Sequence, residues 1–196
     1  MSTVIDTLVF DRSQADVDRV FVLKDKIMSG GWSSLTSAEQ TEYLAGMKGA
    51  YNYTDMNRVG SAVSYIANRM TTLQGQLDAY RATMGVADAP IYDVPYDPSD
   101  VVVSVVTSWT VSSTPTLSQI TTYLNNLSVL RRQLTLPVNT PAVPVSLDGM
   151  TFEVANDIEQ LLCIIDTTLT EVETTMYALI DNTVNAYVYA GEWCCS

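Results

Sequence analysis

Apolar residues recur along this chain at alternating steps of three and four, the spacing that turns one helix face toward a core. The first such run opens behind Ser13, with Asp16 three residues on in a capping arrangement. It places Val17, Val20, Phe21 and Ile27 on one face, and Gly30-Gly31 stops it. A short second helix is predicted from Thr36 or Ser37 to Leu44, closed by Gly46. The third is long. Thr54 is its predicted cap, and Met56, Val59, Val63, Ile66, Met70, Leu73, Leu77, Tyr80 and Met84 hold a 3.5-residue period over about four heptads. Gly75 lies inside it, costs about 1 kcal/mol against Ala, and marks a point where it can break.

Residues 85–100 carry Pro90, Pro95 and Pro98 among aspartates and read as a connector. Val101 to Val111 is dense in β-branched residues, which predicts a strand or an extended segment. A fourth helix is predicted from about Leu117 to Leu134, on Ile120, Tyr123, Leu127, Leu130 and Leu134. Pro137, Pro141 and Pro144 then impose a stiff crossing. The fifth helix opens near Thr151 with the cleanest seam: Ala155, Ile158, Leu162, Ile165, Leu169, Val172, Met176 and Leu179, ending at Asn182 or Asn185. Residues 186–193 form an aromatic tail. Residues 55–66 resemble 119–130 at an offset of 64, and Phe152–Ile158 echoes Tyr53–Val59. The expected fold is mainly α: a helical bundle or two helical lobes, with heptad-like long helices, proline-rich connectors and little β. The expected divisions are an N-terminal helical lobe at 1–84, a connector with an extended segment at 85–116, and a C-terminal helical lobe with the tail at 117–196.

Composition narrows the function. Only 16% of the 196 residues are charged, against about 25% in ordinary domains, so Ser and Thr supply much of the polar surface. The net charge of −12 argues against phosphate-backbone binding and against adhesion to anionic membranes. From Gln133 onward there are nine carboxylates and no cation, which reads as a solvated helix face or an acidic surface that meets a basic neighbouring subunit. The chain has no histidine, which removes Ser-His-Asp and Cys-His nucleophile systems and imidazole zinc sites. Three cysteines without regular spacing are no disulfide framework: Cys163 reads as a core residue and Cys194-Cys195 as an unconstrained end. The N-terminal residues lack a basic segment and carry Asp6 where a secretory core is apolar, and no apolar run approaches a membrane span. A soluble chain that is not exported by a cleaved signal is expected.

Asp93, Asp97 and Asp100 are the best metal candidates, but they lack EF-hand spacing, and a turn built of Asp and Pro explains them as well. Glu171 and Glu173, like Asp157 and Glu159, stand two apart and cannot share a helix face. Glu153 and Asp157 can, yet nothing nearby signals a pocket. Gly30-Gly31 and Gly46-x2-Gly49 match no phosphate loop. No catalytic, cofactor-binding or metal residue is assigned, and no enzyme is expected. Tyrosine and tryptophan combine large contact area with a polar tip, suiting protein interfaces and carbohydrate faces alike. In the connector and tail, Tyr92, Tyr96, Tyr187, Tyr189 and Trp193 are the candidate interface residues.

Three stretches resemble uncharacterised phage and prophage proteins of Firmicutes encoded among tail genes. They are Asp11–Val20; Tyr43–Val59, which contains Gly46-Met47-Lys48-Gly49 and Asp55-Met56-Asn57-Arg58; and Ala155-Asn156-Asp157-Ile158-Glu159. Trp109, Pro115-Thr116, Tyr123–Asn126, Leu130-Arg131, the proline crossing and Tyr189–Glu192 extend the likeness. The resemblance implies a structural, oligomerising virion component of the tail or baseplate, assembled in the host cytoplasm. It implies contacts with copies of itself and with other virion proteins, none with nucleic acid or membrane, and transfers no catalytic residue. A receptor-binding or host-surface adhesion module is the alternative.

Overall fold

The computed structural model describes residues 4–84 and 101–192, the side chains of 80, 81, 83, 84 and 179–192 excepted. It is mainly helical, with no strand among the described residues: α1 (Gln14–Gly30), α2 (Ser37–Leu44), α3 (Tyr53–Met84), α4 (Leu117–Arg131) and α5 (Phe152–Glu192). Ser13 caps α1 in a reciprocal box with Asp16, Thr36 caps α2 with Glu39, and Thr116 caps α4 with Gln119. The cap of α3 is Asn52 rather than Thr54. Asn52 Oδ1 accepts the Thr54 N–H and hydroxyl at 2.8 and 2.7 Å, and Asp55 takes the Asn52 N–H at 2.8 Å. Gly75 does not interrupt α3: a methyl group there would meet nothing.

The last helix is longer than expected. It passes Asn182 and Asn185 and runs to Glu192, because Asn within a helix costs only a few tenths of a kcal/mol and the first glycine is Gly191. At 41 residues it spans about 62 Å. The aromatic tail thus begins inside α5. The α4 helix stops earlier, at Arg131, although Leu134 is buried just beyond it.

Side-chain contacts between α3 and α5 join residues 97 to 104 apart in sequence, from Arg58–Glu159 at one end to Gln76–Tyr177 at the other. The helices are therefore parallel. Their seams are in register at a constant separation of 99 (155 less 56, 176 less 77), and Met56, Val59, Val63, Ile66, Met70, Leu73 and Leu77 lie in one core with Ile158, Leu162, Ile165, Leu169, Val172 and Met176. Parallel heptads of this kind keep one seam facing its partner along the whole contact. The core also takes in Trp109 and, from α4, Tyr123, Leu127 and Leu130, so it draws on all three stretches divided above.

Of the two readings of Val101–Val111, strand or extended segment, the structure shows the second, without a partner strand among the described residues. Its Trp109 meets Asn57, its Val106 meets Gly60 one turn on, and its Ser104 meets Asn126 of α4. It therefore runs back against α3, and α4 follows α3 in direction. Helix side chains replace a partner strand. Asn57 accepts the Trp109 N–H at 2.8 Å and donates to its carbonyl at 2.9 Å; Asn126 does the same for Ser104 at 3.0 and 2.7 Å. A primary amide imitates one residue of a neighbouring strand. A β-carbon at Gly60 would sit 2.7 Å from the Val106 carbonyl, so only glycine admits the segment this close.

Helices α1 and α2 form a small appended lobe around Leu23, Leu35 and Met47. Phe21, expected on the buried face of α1, is 55% exposed, and Leu23 is buried in its place. The lobe covers α1 on one narrow stripe, too narrow to take both. Gly49 closes it onto the chain: a β-carbon there would lie 2.2 Å from the Asp16 carbonyl oxygen.

Candidate functional site

The first turns of α3 and α5 lie side by side, and residues 4–13 cross in front of them. Asn156 of α5 grips Arg12 as the other two asparagines grip their partners, accepting its N–H at 3.0 Å and donating to its carbonyl at 2.9 Å. Asn57 and Asn156 occupy equivalent places in the echoed segments Tyr53–Val59 and Phe152–Ile158. The echo thus corresponds to one device used twice, at the same turn of two parallel helices.

Behind this clamp four charges meet. Arg12 Nη2 donates to Asp55 Oδ1 at 2.8 Å and to Glu159 Oε1 at 2.5 Å. Arg58 donates to Glu159 through Nε at 2.8 Å and Nη2 at 2.7 Å, and also reaches Asp55. The Val9 N–H completes Glu159 at 2.6 Å. Every carboxylate oxygen of the pair has a donor, and two guanidinium charges cancel two carboxylates. Glu159, expected on a solvated face, is fully buried. The reason lies on another element: Arg12 and Arg58 compensate a charge that would otherwise be prohibitive inside a core. The Tyr51 and Tyr123 hydroxyls are hydrogen-bonded to each other beside it, and Arg12 lies over the Tyr51 ring at 5.6 Å. Burial raises both phenols far above their ordinary range, which keeps them protonated and unable to act as bases at neutral pH.

On the outer side of Arg12, where the starts of α3 and α5 face α1 and Pro115, lies a cavity of about 830 Å³. Phe21, Tyr51, Tyr53, Trp109 and Phe152 contribute to its walls, and Gln14, Asn52, Ser113 and Glu153 supply polar groups. Nothing in the apolar periodicity pointed here, because the walls come from four separate stretches. The detectable signal was the run Tyr51-Asn52-Tyr53 just ahead of a helix.

The candidate interface residues do not belong to this site. Tyr92, Tyr96 and Trp193 lie outside the described residues, as do the side chains of Tyr187 and Tyr189, whose backbone is the end of α5. Asp93, Asp97 and Asp100 also lie outside them. Among the described residues no cluster of three metal-ligating side chains occurs, and no helix is long and apolar enough to cross a membrane. Burial raises the Cys163 thiol. No protein-family model, curated protein or solved structure matches the chain.

Proposed function

We propose that this chain is a structural, oligomerising component of a bacteriophage virion, in the tail or baseplate region. What carries the reading is where the resembling stretches go. Arg12 comes from the first, Asp55, Asn57 and Arg58 from the second, Asn156 and Glu159 from the third; five of them join α3, α5 and residues 4–13, and Asn57 clamps the 101–111 segment onto α3. The residues of the likeness hold a shape, and none is left as an acid, base or nucleophile. Long parallel helices, with Glu153, Asp157 and Glu171 of α5 exposed, suit a part repeated around a closed axis, with copies of itself and other virion proteins as partners.

Mass spectrometry of purified particles tests this. The chain is expected at many copies per particle, and deletion of residues 186–196 is expected to lower its incorporation while the remainder stays folded. Absence from particles would overturn the reading. The aromatic-walled cavity favours the second reading, an adhesion module that engages the host surface.

A further inference from the structure

The geometry points to a binding site for a neutral saccharide in the cavity between α1 and the first turns of α3 and α5. The inference rests on the adhesion reading for its biological use, but not for its chemistry. A volume of about 830 Å³ lies in the range that takes a small organic ligand. Its walls are mixed. Phe21 and Tyr53 are exposed, 55% and 36%. Such rings cover the C–H faces of a pyranose while their polar neighbours reach its hydroxyls.

Two observations set the ligand's polarity. Trp109 and Arg12 both line the cavity, both are more than nine-tenths buried, and each has one N–H, Nε1 and Nε respectively, without an acceptor. An unmatched buried donor costs about 1–3 kcal/mol, so an oxygen acceptor that displaced the thin cover over either N–H would recover that cost; Trp109 also lines a smaller cavity against α4. Charge decides the rest. The Arg12 guanidinium is already neutralised by Asp55 and Glu159, which leaves Glu153 as the exposed charged group of the wall. A carboxylate repels an anion and accepts from hydroxyls. The ligand that fits offers oxygen acceptors, hydroxyl donors and an apolar face, with no negative charge; that is a neutral sugar.

The test uses the full chain with a panel of neutral hexose and N-acetylhexosamine oligosaccharides, and uronate-containing ones as the charged arm, read by saturation-transfer NMR and calorimetry. Neutral members are expected to bind and uronates to bind more weakly. Tyr53→Ala and Glu153→Gln, both at exposed positions, are expected to weaken binding about tenfold, the equivalent of one lost hydrogen bond or stacking contact, with an unchanged melting temperature. Trp109→Phe keeps an aromatic ring, though a smaller one, and removes the N–H, and is expected to weaken binding similarly. No binding by the neutral panel, preference for the uronates, or binding indifferent to Tyr53→Ala would each overturn the proposal. Incorporation into particles is a separate measurement, so the saccharide site and the virion reading can fail independently.

Discussion

Two arginines tie α3 to α5, and their surroundings differ. Arg58 sits with Arg12 against Asp55 and Glu159, where Arg12 and Glu159 are almost wholly excluded from water. Arg69, further along, reaches Asp166, Glu173 at 2.6 Å and Thr170 at 3.0 Å and lies over Tyr65 at 5.7 Å; it is as exposed as Arg58, but its carboxylate partners keep 17% and 23% of their side chains exposed, against 8% and 0% for Asp55 and Glu159. The first cluster is closed and needs all its members. The second is open: water can replace any member that leaves. Similar ion pairs across one helix interface should therefore differ several-fold in energy, and the difference measures burial rather than charge count.

The largest expected effect breaks the closed cluster. Glu159→Gln keeps the shape of the side chain but leaves two guanidinium groups facing one carboxylate, away from water. A loss of about 3–5 kcal/mol is expected, since removing one partner strands the others. At about 2–4 °C per kcal/mol for a chain of this size, thermal unfolding should move by roughly 10 °C. The loss should change little between 0.1 and 1 M salt, because screening does not reach a dry site. A shift under about 1 kcal/mol would mean that water enters the cluster and that the contrast with Arg69 is empty.

The open cluster is the intermediate case. Arg69→Ala should cost about 1 kcal/mol at low ionic strength and less in 1 M salt. Burial raises the Asp166 carboxyl while Arg69 pulls it down, so the variant should raise that group further, observable by carbon-detected NMR. Equal losses for Arg69→Ala and Glu159→Gln would erase the distinction.

The two clusters were also unequally legible in the sequence. Arg69 precedes the seam residue Met70, and Glu173 follows the seam residue Leu169 by four, the pairing parallel heptads place across a seam. Glu159, Asp166 and Glu173 recur every seven residues, so heptad bookkeeping alone would have found this edge. The closed cluster escaped because Arg12 belongs to no helix; its approach depends on the Asn156 clamp and on Gly49 admitting the Asp16 backbone. The helices themselves were readable from period and caps, three of them with the Ser/Thr box intact. For Val101–Val111 the sequence left a strand or an extended segment open, because β-branching reports extension, not the partner; the extended segment holds, with two asparagines in a partner strand's place. The cavity walls come from loops and helix starts, where no period operates.

The smallest effect extends the comparison to a third, still more open cluster in the α1–α2 lobe. Glu39 accepts from Lys26 Nζ at 2.6 Å and from the Thr36 N–H at 3.0 Å, with Arg19 at 3.5 Å. The Lys26 hydrogen bond first, then the capping bond from Thr36, lower its carboxyl from 4.5 to about 2. A depressed native value means the unfolded chain binds the proton first. The contribution of Glu39 is therefore complete above about pH 4.5, declines as the pH falls, and is gone below about 2. Titration of the Glu39 carboxyl carbon should show a midpoint near 2, and Trp32 fluorescence, sensitive to its edge contact with Tyr43 at 5.8 Å, should report loosening of the lobe over the same range. Glu39→Gln should flatten that acid transition while leaving the Glu159 cluster intact, since the two share no residue. A Glu39 midpoint near 4.5 would show that the Thr36 box and Lys26 pair are not held in solution, and the gradient from closed to open would then end at Arg69.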